Sequence, residues 1–223
     1  MRNEWWPLFG LRIRTPRLEL RPPTDADLAA LIELIEGGIH PPEEMPFSVP
    51  WTELARPELQ RTSLQYHWRL RAEWTPEGWH LPFGVWEAGC LVGQQDVQAR
   101  DFGVRRTVET GSWIGREHQG RGIGKEMRAA VLHLAFAGLG AQRAETEAFV
   151  DNPASLAVTR SLGYEPNGDG IHNRKGEPTP MVRFALSRER WEHGRRDDIS
   201  IDGLDACLPM FGGGPTASPR PLG

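Results

Sequence analysis

Apolar and charged side chains alternate along Leu11-Arg12-Ile13-Arg14-Thr15 and again along Arg17-Leu18-Glu19-Leu20-Arg21, the period-two pattern of a half-buried strand interrupted at Pro16. The pattern then changes to helical spacing at Leu28, Leu31, Ile32 and Ile35, with Thr24 or Asp25 able to cap the start and Gly37-Gly38 to stop the end. A second helix is expected from Arg56 to Glu73, anchored by Leu59, Leu64, Trp68 and Leu70. Residues 81–87 and 90–97 read as a hairpin turning at Ala88-Gly89, and residues 107–114 as a third strand, which together predict an antiparallel meander. Met127, Ala130, Val131, Leu134 and Ala135 mark a helix face closed by Gly138 and Gly140, followed by a strand at 143–150 and a helix opened by Asp151-Asn152-Pro153. Tyr164 to Lys175 reads as loop-rich, 181–186 as a strand, and Ser187 as the cap of a short helix to His193.

Two stretches break these periods without losing apolar content. Residues 40–51 hold too many prolines for a regular element yet carry Met45, Phe47, Val49 and Trp51, which suits an ordered loop walling a pocket, an interface, or simply the core. Residues 197–211 contain Ile199, Ile201, Leu204, Leu208, Met210 and Phe211 and should pack, whereas 212–223 reads as a disordered tail. Residues 1–211 are therefore expected to form one domain with an ordered extension at 194–211. Trp191, the 197–211 segment and the 40–51 loop carry apolar groups that a monomer would leave exposed, so self-association as a dimer or tetramer is expected.

Composition removes several classes of function. Among 223 residues the formal charge is −4, and a general nucleic-acid binder needs a basic excess to displace counterions. The start lacks an apolar signal core and no run reaches the ~18 apolar residues of a membrane span, so neither secretion nor a membrane partner is expected. Cys90 and Cys207 form no ligand-spaced pair, which argues against a metal site or disulfide framework and fits the reducing cytoplasm. Anion affinity must then be local.

One such place is Gly115-Arg116-Glu117-His118-Gln119-Gly120-Arg121-Gly122-Ile123-Gly124-Lys125, between the third meander strand and the following helix. Glycine at alternate positions lets a phosphate approach backbone N–H groups where a helix presents its unpaired donors and positive dipole end, and Arg116, Arg121 and Lys125 add charge. A Walker loop would require Ser or Thr after Lys125, where Glu126 stands, and a dinucleotide fingerprint requires Gly-x-G-x-x-Gly in a parallel sheet.

With Asn152, Ser155 and Leu162-Gly163-Tyr164 downstream, the Gln119-Gly120-Arg121-Gly122-Ile123-Gly124 turn resembles the coenzyme A loop of the GCN5-related N-acetyltransferases. Thr15-Pro16-Arg17-Leu18-Glu19-Leu20-Arg21-Pro22 is similar to the branch that acetylates N-termini of ribosomal proteins. Met45-Pro46-Phe47-Ser48-Val49-Pro50-Trp51, Gly111-Ser112-Trp113, residues 126–132 and 149–155, and Asp202-Gly203-Leu204-Asp205 resemble an actinobacterial subgroup that includes a mycobacterial succinyl-CoA-using member. The resemblance implies an α/β (α+β) fold whose mixed, mostly antiparallel sheet is splayed at the acyl-CoA cleft and flanked by helices.

It further implies an N-acyltransferase moving acetyl or succinyl from coenzyme A, without metal, to an amine on a protein N-terminus, a lysine or a small molecule. Gln119, Gly120, Arg121, Gly122, Ile123, Gly124 and Lys125 would hold the pyrophosphate, Asn152 and Ser155 the thioester arm, and backbone N–H groups near Trp113 and Ile114 the oxyanion. Many members protonate the thiolate with a tyrosine seven residues beyond the asparagine; Thr159 stands there, which leaves Ser155, then Tyr164, as candidates. Glu109, Glu145 and Glu147 are candidate bases on the strands flanking the cleft. A catalytically silent coenzyme A sensor and an interaction scaffold are the alternatives.

Overall fold

The computed structural model describes residues 4–212. In chain order it comprises β1 (Arg12–Arg14), β2 (Leu18–Arg21), α1 (Asp25–Glu36), α2 (Glu58–Ala72), β3 (Gly78–Glu87), β4 (Cys90–Arg100), α3 (Phe102–Arg105), β5 (Thr107–Ile114), α4 (Ile123–His133), β6 (Arg143–Phe149), α5 (Pro153–Ser161), β7 (Glu165–Arg174), β8 (Glu177–Ser187), α6 (Arg188–His193), β9 (Ser200–Asp202) and α7 (Leu204–Cys207). The nine strands form one sheet in the order β7-β8-β6-β5-β4-β3-β2-β1-β9. Its pairs are antiparallel except β5 and β6, which run parallel through Thr107↔Arg143, Val108↔Ala144 and Glu109↔Glu145.

Local chemistry accounts for most boundaries. Thr24 and Asp27 cap α1 reciprocally, each side chain accepting from the other's backbone N–H, so the helix starts one residue later. Asn152 accepts from the Ser155 N–H and Pro153 supplies the first helical residue of α5, while Ser187 accepts from the Arg190 N–H to start α6. The hairpin β3–β4 turns through Ala88 and Gly89, both at positive φ.

The sheet is covered on both faces. Ser112 and Trp113 are consecutive on β5 and so point oppositely. Ser112 meets Arg128 of α4, whereas Trp113 joins the cluster of Leu28, Leu31, Ile35 and Leu59 from α1 and α2. On the α4 face Ile13, Leu20, Phe83, Val85, Val97 and Val108 pack with Ala130, Val131 and Leu134, all at 0% exposure. A continuous apolar layer of this kind dominates stability.

The ordered extension takes a defined place. β9 pairs antiparallel with β1 through Ile13↔Ile201, adding the ninth strand. Phe211, fully buried, lies 4.9 Å from Trp79 and 5.5 Å from Trp74, and the Trp74 indole donates to the Met210 carbonyl at 2.9 Å. Of the tail expected at 212–223, Gly212 is described and 213–223 lies outside the described residues.

Several expectations are corrected. Residues 165–174 form the edge strand β7 rather than a loop, because backbone pairing with β8 needs no apolar alternation and its side chains stay mostly exposed. Trp68 is not an anchor of α2: it is 48% exposed and its indole donates to Asp25, while His67 takes the inward position. Trp191 is buried, stacked 5.0 Å from Phe136, and Ile199, Cys207 and Met45 are buried as well, so the apolar groups that suggested self-association are largely covered within one chain. Among the described residues no helix is long and apolar enough to cross a membrane.

Candidate functional site

The sheet opens at its single parallel pair. After Glu109↔Glu145 the ladder between β5 and β6 stops, with Thr146 Oγ1 donating to the Thr110 carbonyl at 3.0 Å as the last bridge. Beyond it β5 continues against β4 to Gly93↔Ile114, while β6 continues against β8 to Phe149↔Met181. Residues 111–114 of β5 therefore leave one backbone edge facing a wedge-shaped opening. Trp113 and Ile114 are both half-buried, but successive strand residues point their N–H groups to opposite edges. Gly115 donates to Val92 of β4, so Trp113 also faces β4 and only Ile114 of this pair turns its backbone to the opening, where an unpaired N–H can meet a developing oxyanion.

The glycine turn sits at the mouth of this opening. Gly120 and Gly122 adopt φ of 72° and 79°, the left-handed region that side chains disfavour, and Gly122 is the N-cap of α4. A Cβ at Gly120 would meet nothing within 4 Å, so the turn presents bare backbone to open space. Glu126 is the first residue of α4 whose N–H finds a helical carbonyl, that of Gly122. None of the N–H groups from Gly120 to Lys125 donates to backbone among the described residues. Consecutive free donors at a helix N-terminus bind phosphate oxygens well. Gly124 permits close packing, since a Cβ there would stand 3.3 Å from Ile114 and 3.5 Å from Val158.

Three charged residues of the turn divide their tasks. Lys125 is exposed and makes no ion pair among the described residues. Arg121 is held by Glu87 at 2.6 Å. Glu126, which could repel a phosphate, is turned away and bound by Arg17 at 2.7 Å and Thr15 at 2.5 Å, contacts that hold its carboxyl below the usual range despite burial opposing it. Gln119 is the loop's tie rather than a free donor: its Nε2 donates to the Ile114 carbonyl at 2.9 Å and the Ile39 carbonyl at 2.6 Å.

On the α4 face, α5 brings Asn152, Ser155 and Thr159 toward the opening. The Asn152 Oδ1 is engaged as helix cap with the Ser155 N–H at 3.0 Å, which leaves the amide NH₂ to donate outward. Ser155 is half-buried and Thr159 fully buried. Thr159 Oγ1 accepts from Arg128 Nη1 at 2.9 Å, and Arg128 Nη2 donates to Ser112 Oγ at 3.0 Å. Tyr164, 4% exposed, lies beside Arg128 with no well-formed hydrogen bond on its hydroxyl, and burial raises its pKa above the ordinary phenol value.

On the α1–α2 face lie the carboxylates. Glu109 is exposed and accepts from Gln98 at 3.0 Å; Glu145 pairs with Arg143 at 2.6 Å; Glu147 stands 3.8 Å from His172. The structure adds a group that the sequence pattern did not single out. Asp96 of β4 accepts from Gln94 Nε2 at 2.8 Å and Tyr66 Oη at 3.2 Å and lies 3.1 Å from His80 Nε2. Asp96 pairs in register with Gly111 of β5, and a Cβ at Gly111 would meet nothing within 4 Å. Open space thus separates Asp96 from the edge of the opening. Three residues 14 to 30 positions apart in sequence are joined by the pairing of β3 with β4 and the packing of α2 on them, which explains why no local pattern reveals them.

The 40–51 loop forms one wall of this face. Trp51 lies 6.2 Å from Trp113 and 5.2 Å from Phe47, and His40 fixes the loop by contacting Thr52 at 2.8 Å. The β7–β8 hairpin closes against this loop: Arg174 bridges Asp151 at 2.7 Å and the Met45 carbonyl at 3.4 Å, and Lys175 pairs with Glu53 at 2.6 Å. Two cavities elsewhere, one near Trp6 and His67 and one of about 440 Å³ near Arg17 and Trp86, do not include the glycine turn.

Comparison with known proteins agrees with this geometry. Residues 17–165 match the model of the Acetyltransferase (GNAT) domain. YdaF of Bacillus subtilis is 30% identical over 112 residues, 49% of this chain; the chain spans 60% of the length of that curated relative. The structure of RimL, a ribosomal L7/L12 alpha-N-protein acetyltransferase in complex with coenzyme A, superposes with a TM-score of 0.63 at 18% identity over 78% of this chain and 95% of its own. Mycobacterium smegmatis RimJ in complex with CoA-disulfide gives 0.62 at 22% identity over 82% and 93%. With the splayed parallel pair, the unpaired glycine turn and a family match spanning both, the chain belongs to the GNAT acetyltransferase domain family.

Proposed function

We propose that this chain is an acyl-CoA-dependent N-acyltransferase that moves an acetyl or succinyl group to an amine of a protein or small molecule by direct attack. The observation that carries the reading is the run of undonated N–H groups from Gly120 to Lys125 at the mouth of the β5–β6 opening. The ribosomal-protein acetyltransferase names of RimL and of relatives such as YdaF favour a protein N-terminus as acceptor.

Gly120, Arg121, Gly122, Ile123, Gly124 and Lys125 would bind the pyrophosphate by backbone donors and charge, with Gln119 bracing the turn. The Asn152 amide and Ser155 hydroxyl would orient the thioester arm, and the N–H of Ile114, rather than that of Trp113, would stabilise the oxyanion. The amine would enter over the face bordered by Trp51 and the β7–β8 hairpin. Asp96, Glu109 or Glu147 would take its proton, directly or through water, Asp96 being the carboxylate that faces the open space over Gly111. Ser155 and then Tyr164 are the hydroxyls available to protonate the thiolate.

Calorimetry with coenzyme A tests the reading first; no binding at high micromolar concentration refutes it. Thiol release over a panel of amines with acetyl, propionyl and succinyl donors then identifies the group moved. The replacement of the usual tyrosine by Thr159 favours a second reading, a silent coenzyme A sensor, which silence across all three donors would support. Dimerisation or tetramerisation stays part of the proposal through exposed Val49, Val150 and Ile171, and monomers by light scattering at micromolar concentration would remove it.

A further inference from the structure

Arg128 is a buried cation without an anion. It is 4% exposed, points from the middle of α4 into the protein, and pairs with no carboxylate among the described residues. Its guanidinium makes two hydrogen bonds, to Thr159 Oγ1 and Ser112 Oγ, and its Nε donates to nothing. Burying an ion with only neutral partners is unfavourable, and an apolar side chain of similar volume would avoid that cost. Simple packing therefore does not account for arginine here.

Its position suggests what does. Ser112 lies three residues past Glu109, the last β5 residue paired with β6, and Thr159 lies on α5 across the same opening. Each hydroxyl accepts from the guanidinium and so keeps its own proton to donate, and neither donates to another group among the described residues. A guanidinium flanked by two free O–H donors is complementary to a small anion lodged between the strands.

Resting on the N-acyltransferase reading, we propose that Arg128, with Thr159 and Ser112, forms the site that stabilises the departing coenzyme A thiolate. In that step the amine nitrogen bonds to the thioester carbon, the C–S bond breaks, and its electron pair leaves on sulfur. The amine proton passes to the acceptor-side carboxylate or water. The sulfur then carries a full negative charge beside a fixed positive one, so no proton need be delivered as the bond breaks. This explains how the chain acts without a tyrosine at position 159: a cation held by Thr159 replaces an acid.

The test needs no acceptor. The thiol pKa of bound coenzyme A is read from thiolate absorbance near 240 nm, with desulfo-coenzyme A as the blank. In the wild type it should fall by roughly one to three units below that of free coenzyme A in the same buffer, as for a group beside an opposite charge. Arg128→Met should return it to the free value while desulfo-coenzyme A binds as before, and Arg128→Lys, which keeps the charge and guards against misfolding, should retain part of the shift. Equal bound thiol pKa values in wild type and Arg128→Met overturn the proposal. So does an Arg128→Met variant that changes the ratio of succinyl-CoA to acetyl-CoA affinity with the thiol pKa unmoved, because the cation would then read a donor carboxylate. Wild-type protein that binds neither coenzyme A nor its desulfo form removes the acyltransferase reading itself, and this proposal with it.

Discussion

Substituting Gly122 by alanine isolates what the glycine turn contributes. Its φ of 79° places an L-residue in the left-handed region, which costs about 1–2 kcal/mol. Sterics add nothing, because the new Cβ would meet only the Arg17 Nη2 at 3.7 Å, an ordinary contact. Without ligand the turn can relax away from this conformation, but presenting the N–H groups to a pyrophosphate requires restoring it. The strain should therefore appear in affinity, as a roughly 5–30-fold weaker Kd for coenzyme A by calorimetry. Gly120→Ala, at φ 72° with nothing near its Cβ, should weaken binding by the same amount or more if the phosphate occupies that space. Gly10→Ala is the control, since its φ is not positive and its Cβ would meet nothing. Affinities of Gly122→Ala and Gly120→Ala within about twofold of wild type, with melting temperatures confirming the fold, would refute the assignment of this turn to the pyrophosphate.

Three further outcomes follow from other parts of the molecule. Asp96→Asn preserves shape but removes the charge over Gly111; kcat/KM should drop about 10²-fold at neutral pH with coenzyme A affinity unchanged, and an unaltered pH profile would reduce Asp96 to a support for Tyr66 and His80. Burial depresses the pKa of His67 to about 4 from its ordinary 6.5, so the unfolded state binds the extra proton between those values. Stability should then be full above pH 6.5 and fall by about 3 kcal/mol as pH drops toward 4, a loss that denaturant titrations should find absent in His67→Leu. Phe211→Ala empties a fully buried site between Trp74 and Trp79 and should cost about 3–5 kcal/mol, lowering Tm by roughly 6–20 °C; a smaller change would mean that the C-terminal extension is not integral to the core.

Local features were legible where the chemistry itself is local. Thr24, Asn152 and Ser187 cap the helices that follow them, and the Ala88-Gly89 turn closes its hairpin, because capping and turn formation involve residues within four positions of each other. Edge strand β7 was missed because strands at a sheet's rim need no apolar face, so 165–174 carries a polar sequence that resembles a loop. The inward turn of His67 in place of Trp68 was missed because α2 is set by its contact with β3 and β4, where Tyr66 reaches Asp96.

The same distinction divides the site. Sequence alone determined the glycine turn, the Asn152 cap and the absence of a tyrosine at 159, since each is a matter of residue type at fixed short spacing. Tertiary structure decided which groups surround them. It sealed Glu126 behind Arg17, spent the Gln119 amide on tying the loop, set Asp96 beside the open face of Gly111, and buried Arg128 between two hydroxyls from separate elements. These pairings depend on strand register and helix rotation between residues 15 to 109 positions apart, so no short window of sequence reveals them.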